Sequence, residues 1–291
     1  MLVYALTAGV LFGLFYSLVG LGLNLVFGVL RMVNLAHGQF VMLGGFAAYL
    51  AYVRLGWHPL VTMVVAAALF LGIGYLLYPL FAPRLAASTD PEMISLVFFF
   101  GVAEMIQALA VIGFGNNQRS IYAPVFGAAP VRLLGERFPA AWVVSGGVSL
   151  LALLAVYLYL YRSRLGYATR AVMASREEAL VSGLSVGRIS ALAFGIGLAL
   201  AAAGGVLSPF LLGGVNPGVG VGLTMTAFAV VVLGSLGNPL GTVLGGLIYG
   251  VSLMLMQSYL SEWTNLLPYL LLLVVLLVRP SGLLGRGVRH A

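Results

Sequence analysis

The chain has 291 residues, of which 62% are hydrophobic and only 7% are charged. Soluble proteins are about a quarter charged, so this composition excludes a soluble enzyme, a disordered chain and a nucleic-acid-binding protein. The net charge of +7 comes from arginine and does not indicate an anionic partner, because membrane proteins place such residues in cytoplasmic loops. The sequence predicts an all-α polytopic protein of the lipid bilayer.

Nine apolar runs follow one another along the chain, and most reach the length of about 20 residues that a helix needs to cross a bilayer. The runs are continuous rather than alternating, which favours helices over a β-barrel. The seventh and ninth are short, so we predict eight or nine transmembrane helices in a single domain, 1–291. The seventh is expected to be broken or tilted across the proline-containing stretch 236–241. The predicted spans are 2–30, 32–52, 60–80, 93–114, 140–161, 189–212, 223–234, 242–260 and 266–278.

The arginines predict the orientation of the chain. Five lie in segment 162–188 and three follow residue 278, so both regions are expected in the cytoplasm. With nine spans, Arg31 and Arg84 also fall inside, whereas the N-terminus and the loop 115–139 fall outside. This arrangement needs an odd number of spans, and we therefore favour nine over eight.

A polar stretch, 31–39, separates the first two apolar runs. In one interpretation it is a backbone break that lines a cavity, with Asn34, His37 and Gln39 offering hydrogen bonds. Polar groups at that depth are costly unless they are partnered or hydrated. In the other interpretation, which the residues alone favour, it is a cytoplasmic turn at the level of the headgroups.

Glu104 lies within the fourth apolar run, and Gln107 follows one helical turn later. A carboxylate near the bilayer centre costs about 2.5–3.5 kcal/mol, so Glu104 is expected to face the interior of the bundle. There it would either couple transport to protons or cations or, more simply, make a polar contact between helices.

Two similar stretches in opposite halves of the chain suggest an internal repeat. They are M-L-G-G-F-A-A-Y at 42–49 and V-L-G-G-L-I-Y at 243–249, and a polar interruption precedes each, the second one containing Asn238. Interrupted hydrophobic segments at corresponding places in two halves indicate a substrate path in transporters. A chance match is the alternative.

Segment 162–188 is expected to be partly helical, over 169–182. In it, Glu177, Glu178 and Ala179 precede Gly183, and a glycine at that place is a helix-stop signal. The helix would be either a charged surface helix at the membrane face or a docking helix for a cytoplasmic partner.

The sequence contains no arrangement typical of catalysis. It has no cysteine, its only aspartate, Asp90, lies in a loop, and neither a metal-ligating cluster nor a glycine-rich phosphate-binding loop is found. We predict no enzymatic activity and no cofactor in this chain. Energy for active transport would have to come from an ion gradient or from another subunit.

Several motifs, taken together and in order, resemble the branched-chain amino acid ABC permeases of the LivH type. Residues 33–44 (V-N-L-A-H-G-Q-F-V-M-L-G) look like the family signature N-F-A-H-G-E-F-x-M-L-G, with Leu35 in place of Phe and Gln39 in place of Glu. The segment 168–186 is similar to the family's cytoplasmic loop and partly matches the pattern E-A-A-x3-G, with Glu178 at the first Ala. Other similar stretches are 5–30, 227–246 and the ending R-P-S-G-L-L-G at 279–285.

The resemblance implies an importer permease-type bundle in a bacterial or archaeal inner membrane, with its N-terminus outside and its C-terminus in the cytoplasm. The implied partners are a second homologous permease, two cytoplasmic ABC ATPases that use ATP and Mg²⁺, and a periplasmic or lipid-anchored substrate-binding protein. The implied substrate is a branched-chain amino acid (leucine, isoleucine or valine), which moves by alternating access along a path of which this chain forms half. Relatives also carry other amino acids, amides, urea and aromatic acids.

On this interpretation two groups of residues carry the function. The group expected to line or support the path is Asn34, His37, Gly38, Gln39, Glu104 and Asn238, and the group expected to face the ATPases is Glu177, Glu178, Ala179 and Gly183. The alternative is a self-sufficient secondary transporter or channel for a small polar solute (an amide, urea or another amino acid) that uses Glu104. A purely structural membrane subunit is a third hypothesis, which the interrupted helices disfavour.

Overall fold

The computed structural model describes residues 1–121 and 124–285, and these residues form eleven α-helices, one 3₁₀ helix and one short β-hairpin. In chain order the elements are α1 (Leu2–Leu30), α2 (His37–Leu55), α3 (Pro59–Ala86), α4 (Pro91–Phe114), β1 (Val131–Leu133), β2 (Glu136–Phe138), α5 (Ala140–Arg162), α6 (Arg164–Ala174), α7 (Arg176–Val181), α8 (Val186–Leu211), α9 (Val219–Gly234), α10 (Pro239–Tyr259), the 3₁₀ helix (Ser261–Leu266) and α11 (Leu267–Val278).

Each of the nine predicted apolar runs contains a helix, namely α1 to α5 and α8 to α11. Seven helical stretches in the described part of the chain are long and apolar enough to cross a membrane, and α9, with 16 residues, is a shorter apolar helix. The prediction of an all-α polytopic membrane protein is confirmed.

The helices α1 and α8 form the centre of the bundle, because most of their residues are buried. Small residues allow α1 to lie close to α10: a methyl group added at Gly9 would be 2.6 Å from the Cα of Val251, and one added at Gly13 would be 2.8 Å from the Cα of Leu247. Such close approaches are typical of helix packing in lipid. In contrast, α4 lies at the edge of the bundle and buries few of its side chains.

The second predicted span is wrong at its beginning. It was expected from residue 32, but α1 ends at Arg31 with a left-handed backbone (φ 56°), and no helix forms again until His37. The intervening residues include the apolar Met32, Val33 and Leu35. Hydropathy alone does not distinguish an apolar buried loop from an apolar helix.

Two short helices replace the single helix predicted over 169–182. Ser163 begins α6 by accepting a hydrogen bond from the Gly166 N–H at 2.9 Å, and Ser175 begins α7 in the same way from the Glu178 N–H at 3.2 Å. Serine is a favoured residue at this capping position. The segment 162–188 therefore contains a bend at Ser175.

The β-hairpin in segment 115–139 was not predicted. Its turn contains Leu134 and Gly135, both with positive φ. The same segment is joined to the residues before α9 by a backbone bridge between Arg119 and Val215. This end of the molecule thus carries the hairpin, the start of α9 and the end of α8.

Candidate functional site

The chain returns deep into the bundle after α1 ends. Nε2 of His37 lies 2.9 Å from the carbonyl oxygen of Val19, and Val19 precedes the last residue of α1 by 11 positions, or about 16 Å of helix at 1.5 Å per residue. The helix α2 therefore begins well inside the bundle. A turn at the level of the headgroups, the interpretation that the residues alone favoured, is wrong, because Asn34, His37 and Gln39 are buried inside the bundle.

The chain itself satisfies several backbone groups at this first break, the segment 31–36. The Oδ1 atom of Asn34 accepts a hydrogen bond from the Ala36 N–H at 3.1 Å. The Thr224 hydroxyl oxygen, in α9, accepts one from the Gly38 N–H at 3.0 Å and lies 3.2 Å from the carbonyl oxygen of Leu35. Thr224 was not singled out by the sequence analysis, because threonine in an apolar run carries no distinctive signal.

Gly38 marks the closest approach of α2 to α9. A methyl group at this position would collide with the carbonyl oxygen of Gly220 and with the hydroxyl of Thr224. The side chain of Gln39 lies directly against Gly220 as well. Glycine at these two positions lets the two helix ends meet with their polar groups in contact.

Three buried polar atoms at the first break have no hydrogen-bond partner within the described ranges. They are Nδ2 of Asn34, Nδ1 of His37 and Oε1 of Gln39, and the three residues are at most 1% exposed. Because a carbonyl only accepts, Nε2 of His37 carries the proton in its bond to Val19, which leaves Nδ1 of a neutral ring as an acceptor. Unpaired polar groups in a dry interior are costly, so this cluster of one donor and two acceptors is suited to a polar solute that pairs with them.

Gln107 extends the cluster to α4, because its Oε1 accepts a hydrogen bond from Nε2 of Gln39 at 3.1 Å. Glu104 lies three residues earlier, about 60° around the helix axis, and is exposed. The expectation that Glu104 faces the interior of this bundle is wrong. Since α4 lies at the edge of the bundle, the side of α4 that carries Glu104 faces outward.

Asn238 is separate from the first break. It lies in the second break, the segment 235–238 between α9 and α10, which confirms the predicted interruption. Its Oδ1 accepts from the Gly241 N–H at 3.2 Å, and its Nδ2 donates to the carbonyl of Leu284 at 3.2 Å. No hydrogen bond among the residues that the structure describes joins Asn238 to Asn34, His37 or Gln39.

Asn24 holds the second break against α1. Its Oδ1 accepts from the Gly237 N–H at 2.6 Å and its Nδ2 donates to the Thr242 hydroxyl at 2.5 Å. The residue is fully buried. Its role was missed because one asparagine within a span carries no pattern.

The residues predicted to face an ATPase lie on α7 and just after it. Glu177 and Glu178 are exposed, whereas Ala179 is buried and anchors the helix to the bundle. Gly183 has φ +79°, with open space where a side chain would be. Val181, at the end of α7, was not predicted to face the ATPases, although its side chain is 91% exposed.

Comparison with known proteins identifies relatives of this arrangement. The model of a family described as branched-chain amino acid transport system / permease component matches residues 5–276. The high-affinity branched-chain amino acid transport system permease protein LivH of Escherichia coli (strain K12) is 32% identical over 96% of this chain and 94% of its own length. BraD of Pseudomonas aeruginosa is 30% identical over 97% and 95%, and LivM of Salmonella typhimurium is 31% identical over 92% and 67%. No solved structure matches the chain.

Proposed function

This chain belongs to the family of branched-chain amino acid transport permease components, and on that premise we propose that it forms half of the translocation path of an ATP-driven importer of leucine, isoleucine and valine. The match over residues 5–276 carries the proposal. The predicted main function, a permease subunit of such a transport system, is supported by these relatives, whereas the alternative of a self-sufficient secondary transporter or channel is not. The protein is a multi-pass membrane component of a transporter.

The first break is proposed to line the path. Asn34, His37 and Gln39 have unpaired polar atoms deep in the bundle, and interrupted helices are where transporters place their substrate paths. Alternating access requires two states with different contacts at the same place. The contact of Gly38 with Gly220 and Thr224 is suited to change, because it joins two helix ends rather than two long packed faces.

One of the two cytoplasmic ATPases is proposed to dock on α6 and α7 of this chain. The exposed apolar side chains of Leu180 and Val181 and the carboxylates of Glu177 and Glu178 form the projecting surface. ATP and Mg²⁺ are proposed to bind in those partners, and this chain is proposed to contribute no cofactor and no catalysis of its own.

Motion of α6 is proposed to reach both breaks through Met173. The Arg31 guanidinium, where the first break begins, donates to the Met173 carbonyl at 3.1 Å. The Met173 side chain packs over Gly28, and a methyl group at Gly28 would be 3.3 Å from the Cα of Gly237 in the second break. A displacement of α6 would therefore act on both interruptions together.

A second, homologous permease is proposed to cover the outward flank of α4. Glu104 is exposed there in the middle of an apolar helix, and a carboxylate facing lipid is costly. The match covers 67% of the length of LivM. The names of LivM and LivH both describe a permease protein of a high-affinity branched-chain amino acid transport system. A substrate-binding protein is proposed to dock at the end that carries segment 115–139.

The proposed orientation follows the arginines. Segment 162–188, with five arginines, and the tail lie in the cytoplasm of the inner membrane, and the N-terminus and segment 115–139 lie outside. Residues 1–291 are then one transmembrane permease domain with a cytoplasmic coupling segment.

The test begins with purification of the tagged chain from its native membrane in mild detergent, followed by mass spectrometry of the proteins that accompany it. Two ATPases and a second permease are expected. Reconstitution of that complex with its binding protein should give ATP-dependent uptake of labelled leucine. A chain that purifies alone and transports with an ion gradient would overturn the proposal.

A further inference from the structure

A separate cavity lies between α1, α9, α10 and the turn into α11, and the sequence analysis did not identify it. Its volume is about 320 Å³, which falls within the range of small-molecule sites. Its lining includes Tyr16, Leu223, Thr226, Tyr249, Asn265 and Pro268.

Three almost fully buried residues that carry hydroxyl groups line the cavity. Tyr16 is 6%, Thr226 8% and Tyr249 3% exposed. The hydroxyls of Thr226 and Tyr249 are 3.3 Å apart, and the rings of Tyr16 and Tyr249 pack edge to face with their centroids 4.9 Å apart. The Tyr16 hydroxyl forms no hydrogen bond with any residue of 1–121 or 124–285. A tyrosine hydroxyl can both donate and accept a hydrogen bond, so the grouping of these three hydroxyls around one cavity is suited to a polar ligand.

The cavity reaches from one end of the bundle towards its middle. Gly218 and Val219, at the start of α9, and Asn265, just before α11, form its outer part. That end also carries segment 115–139, because Val215 is bridged to Arg119. Thr226 lies seven residues into α9, about 10 Å below its first residue. The hydroxyls therefore lie near the middle of a hydrocarbon core about 30 Å thick.

We propose that this cavity is the outward-open binding site for the transported amino acid, an inference that rests on the proposed function. The apolar walls, with Leu223 and Pro268, are suited to a branched aliphatic side chain. The hydroxyls of Tyr16, Thr226 and Tyr249 are suited to its charged backbone groups.

The helix α9 separates this cavity from the first break. Thr224 contacts Gly38 in the break, and Thr226 lines the cavity two residues later, about 200° around the helix. The first break and the cavity thus lie against opposite faces of the 16-residue helix α9. A shift of α9 would pass the amino acid from the cavity to Asn34, His37 and Gln39, which gives the two sites an order along the path.

The first experiment fills the cavity. Gly222 lines it, and a side chain added there meets open space, so Gly222→Leu is compatible with the fold. We expect uptake of labelled leucine by the complete reconstituted transporter to fall more than tenfold, while the partner subunits still co-purify. The matched control is Gly147→Leu in α5, another helical glycine with open space around it but outside the cavity, and it should transport normally.

The second experiment removes one hydroxyl and remains decisive if Gly222→Leu does not assemble. Hydrogen bonds to charged groups are the strong ones, so Tyr16→Phe should raise the KM for leucine about tenfold. Tyr78→Phe, at a buried tyrosine in α3 that packs against Phe81, is the control and should leave KM unchanged.

The outcomes separate the two proposals. Wild-type uptake by both Gly222→Leu and Tyr16→Phe, in a transporter that carries leucine, would overturn the cavity site and leave the proposed function standing. A wild-type complex that carries none of leucine, isoleucine and valine would overturn the proposed function itself.

Discussion

Gly38→Ala tests whether the first break depends on contact between α2 and α9. The added methyl group would overlap the Gly220 carbonyl oxygen and the Thr224 hydroxyl, and the first of these is a backbone atom that no rotamer change moves. Normal contact distances are near 3.5 Å, so the helix ends would have to separate by roughly 1.5 Å. Overpacking of this kind costs about 1–3 kcal/mol, and loss of the Gly38 N–H bond to Thr224 adds about 1 kcal/mol.

The expected result is a free energy of unfolding lowered by about 2–4 kcal/mol, with uptake of leucine lost in the same variant. Chemical denaturation of the purified complex in detergent measures the first, and proteoliposome uptake the second. Gly72→Ala in α3 is the matched control, because its methyl group meets open space. Replacing a helical glycine by alanine there should be neutral or stabilising by up to about 1 kcal/mol. Wild-type stability and uptake for Gly38→Ala would refute the assignment of this contact.

Three further predictions concern the remaining candidate residues. Gly183→Val should lower the number of substrates imported per ATP hydrolysed, because a residue with a side chain pays about 1–2 kcal/mol to adopt the backbone angle φ +79° of Gly183. Gly183→Asn should be tolerated. Equal coupling in both variants would contradict the argument. Glu104→Gln should keep uptake within about twofold of the wild type and insensitive to an ionophore, because the Glu104 side chain is exposed on the outside of this bundle. Loss of uptake in this variant would support the ion-coupled alternative. Asn24→Leu should lower the free energy of unfolding by about 1–3 kcal/mol, because the Gly237 N–H loses its acceptor. The control in the same denaturation assay is Thr7→Val, which removes an exposed hydroxyl that is bonded only within α1.

The helices could be predicted from the sequence because run length and composition decide which segments cross a bilayer. The run 2–30 corresponds to α1 residue for residue, and 93–114 differs from α4 only by two residues at its start. The start of α2 could not be predicted, because Met32, Val33 and Leu35 are as apolar as a helix requires. What decides the structure there is a distant partner, Thr224, which lies 189 residues beyond Leu35.

The candidate site was predicted only in part, for a similar reason. The polar residues of the first break attract notice because they interrupt an apolar run. In contrast, Tyr16, Thr226 and Tyr249 are ordinary members of three separate spans, and only the packing of α1, α9 and α10 brings their hydroxyls to one cavity. The burial predicted for Glu104 failed because sequence does not indicate which helix lies at the edge of a bundle.

The two breaks share a construction that supports the suspected repeat. α1 and α9 each end at a residue with positive φ, Arg31 and Ser235. In each break an asparagine side chain then accepts a backbone N–H: Asn34 from Ala36, the last residue before α2, and Asn238 from Gly241 in the first turn of α10.

The breaks differ in length and in depth. The first spans six residues (31–36) and the second four (235–238). The Asn238 N–H donates to the Ser235 carbonyl at 3.2 Å and closes the whole second break into a turn, whereas in the first break only 34–37 are closed in this way. The polar side chains of the first break are buried inside the bundle, and the second break keeps Asn238 beside the tail residue Leu284. Under the proposed function, the first break lines the path and the second anchors the tail. Insertion of two residues into 235–238 should therefore release α10 from its contact with Leu284 and lower the free energy of unfolding, whereas the same insertion in the hairpin turn at 134–135 should not.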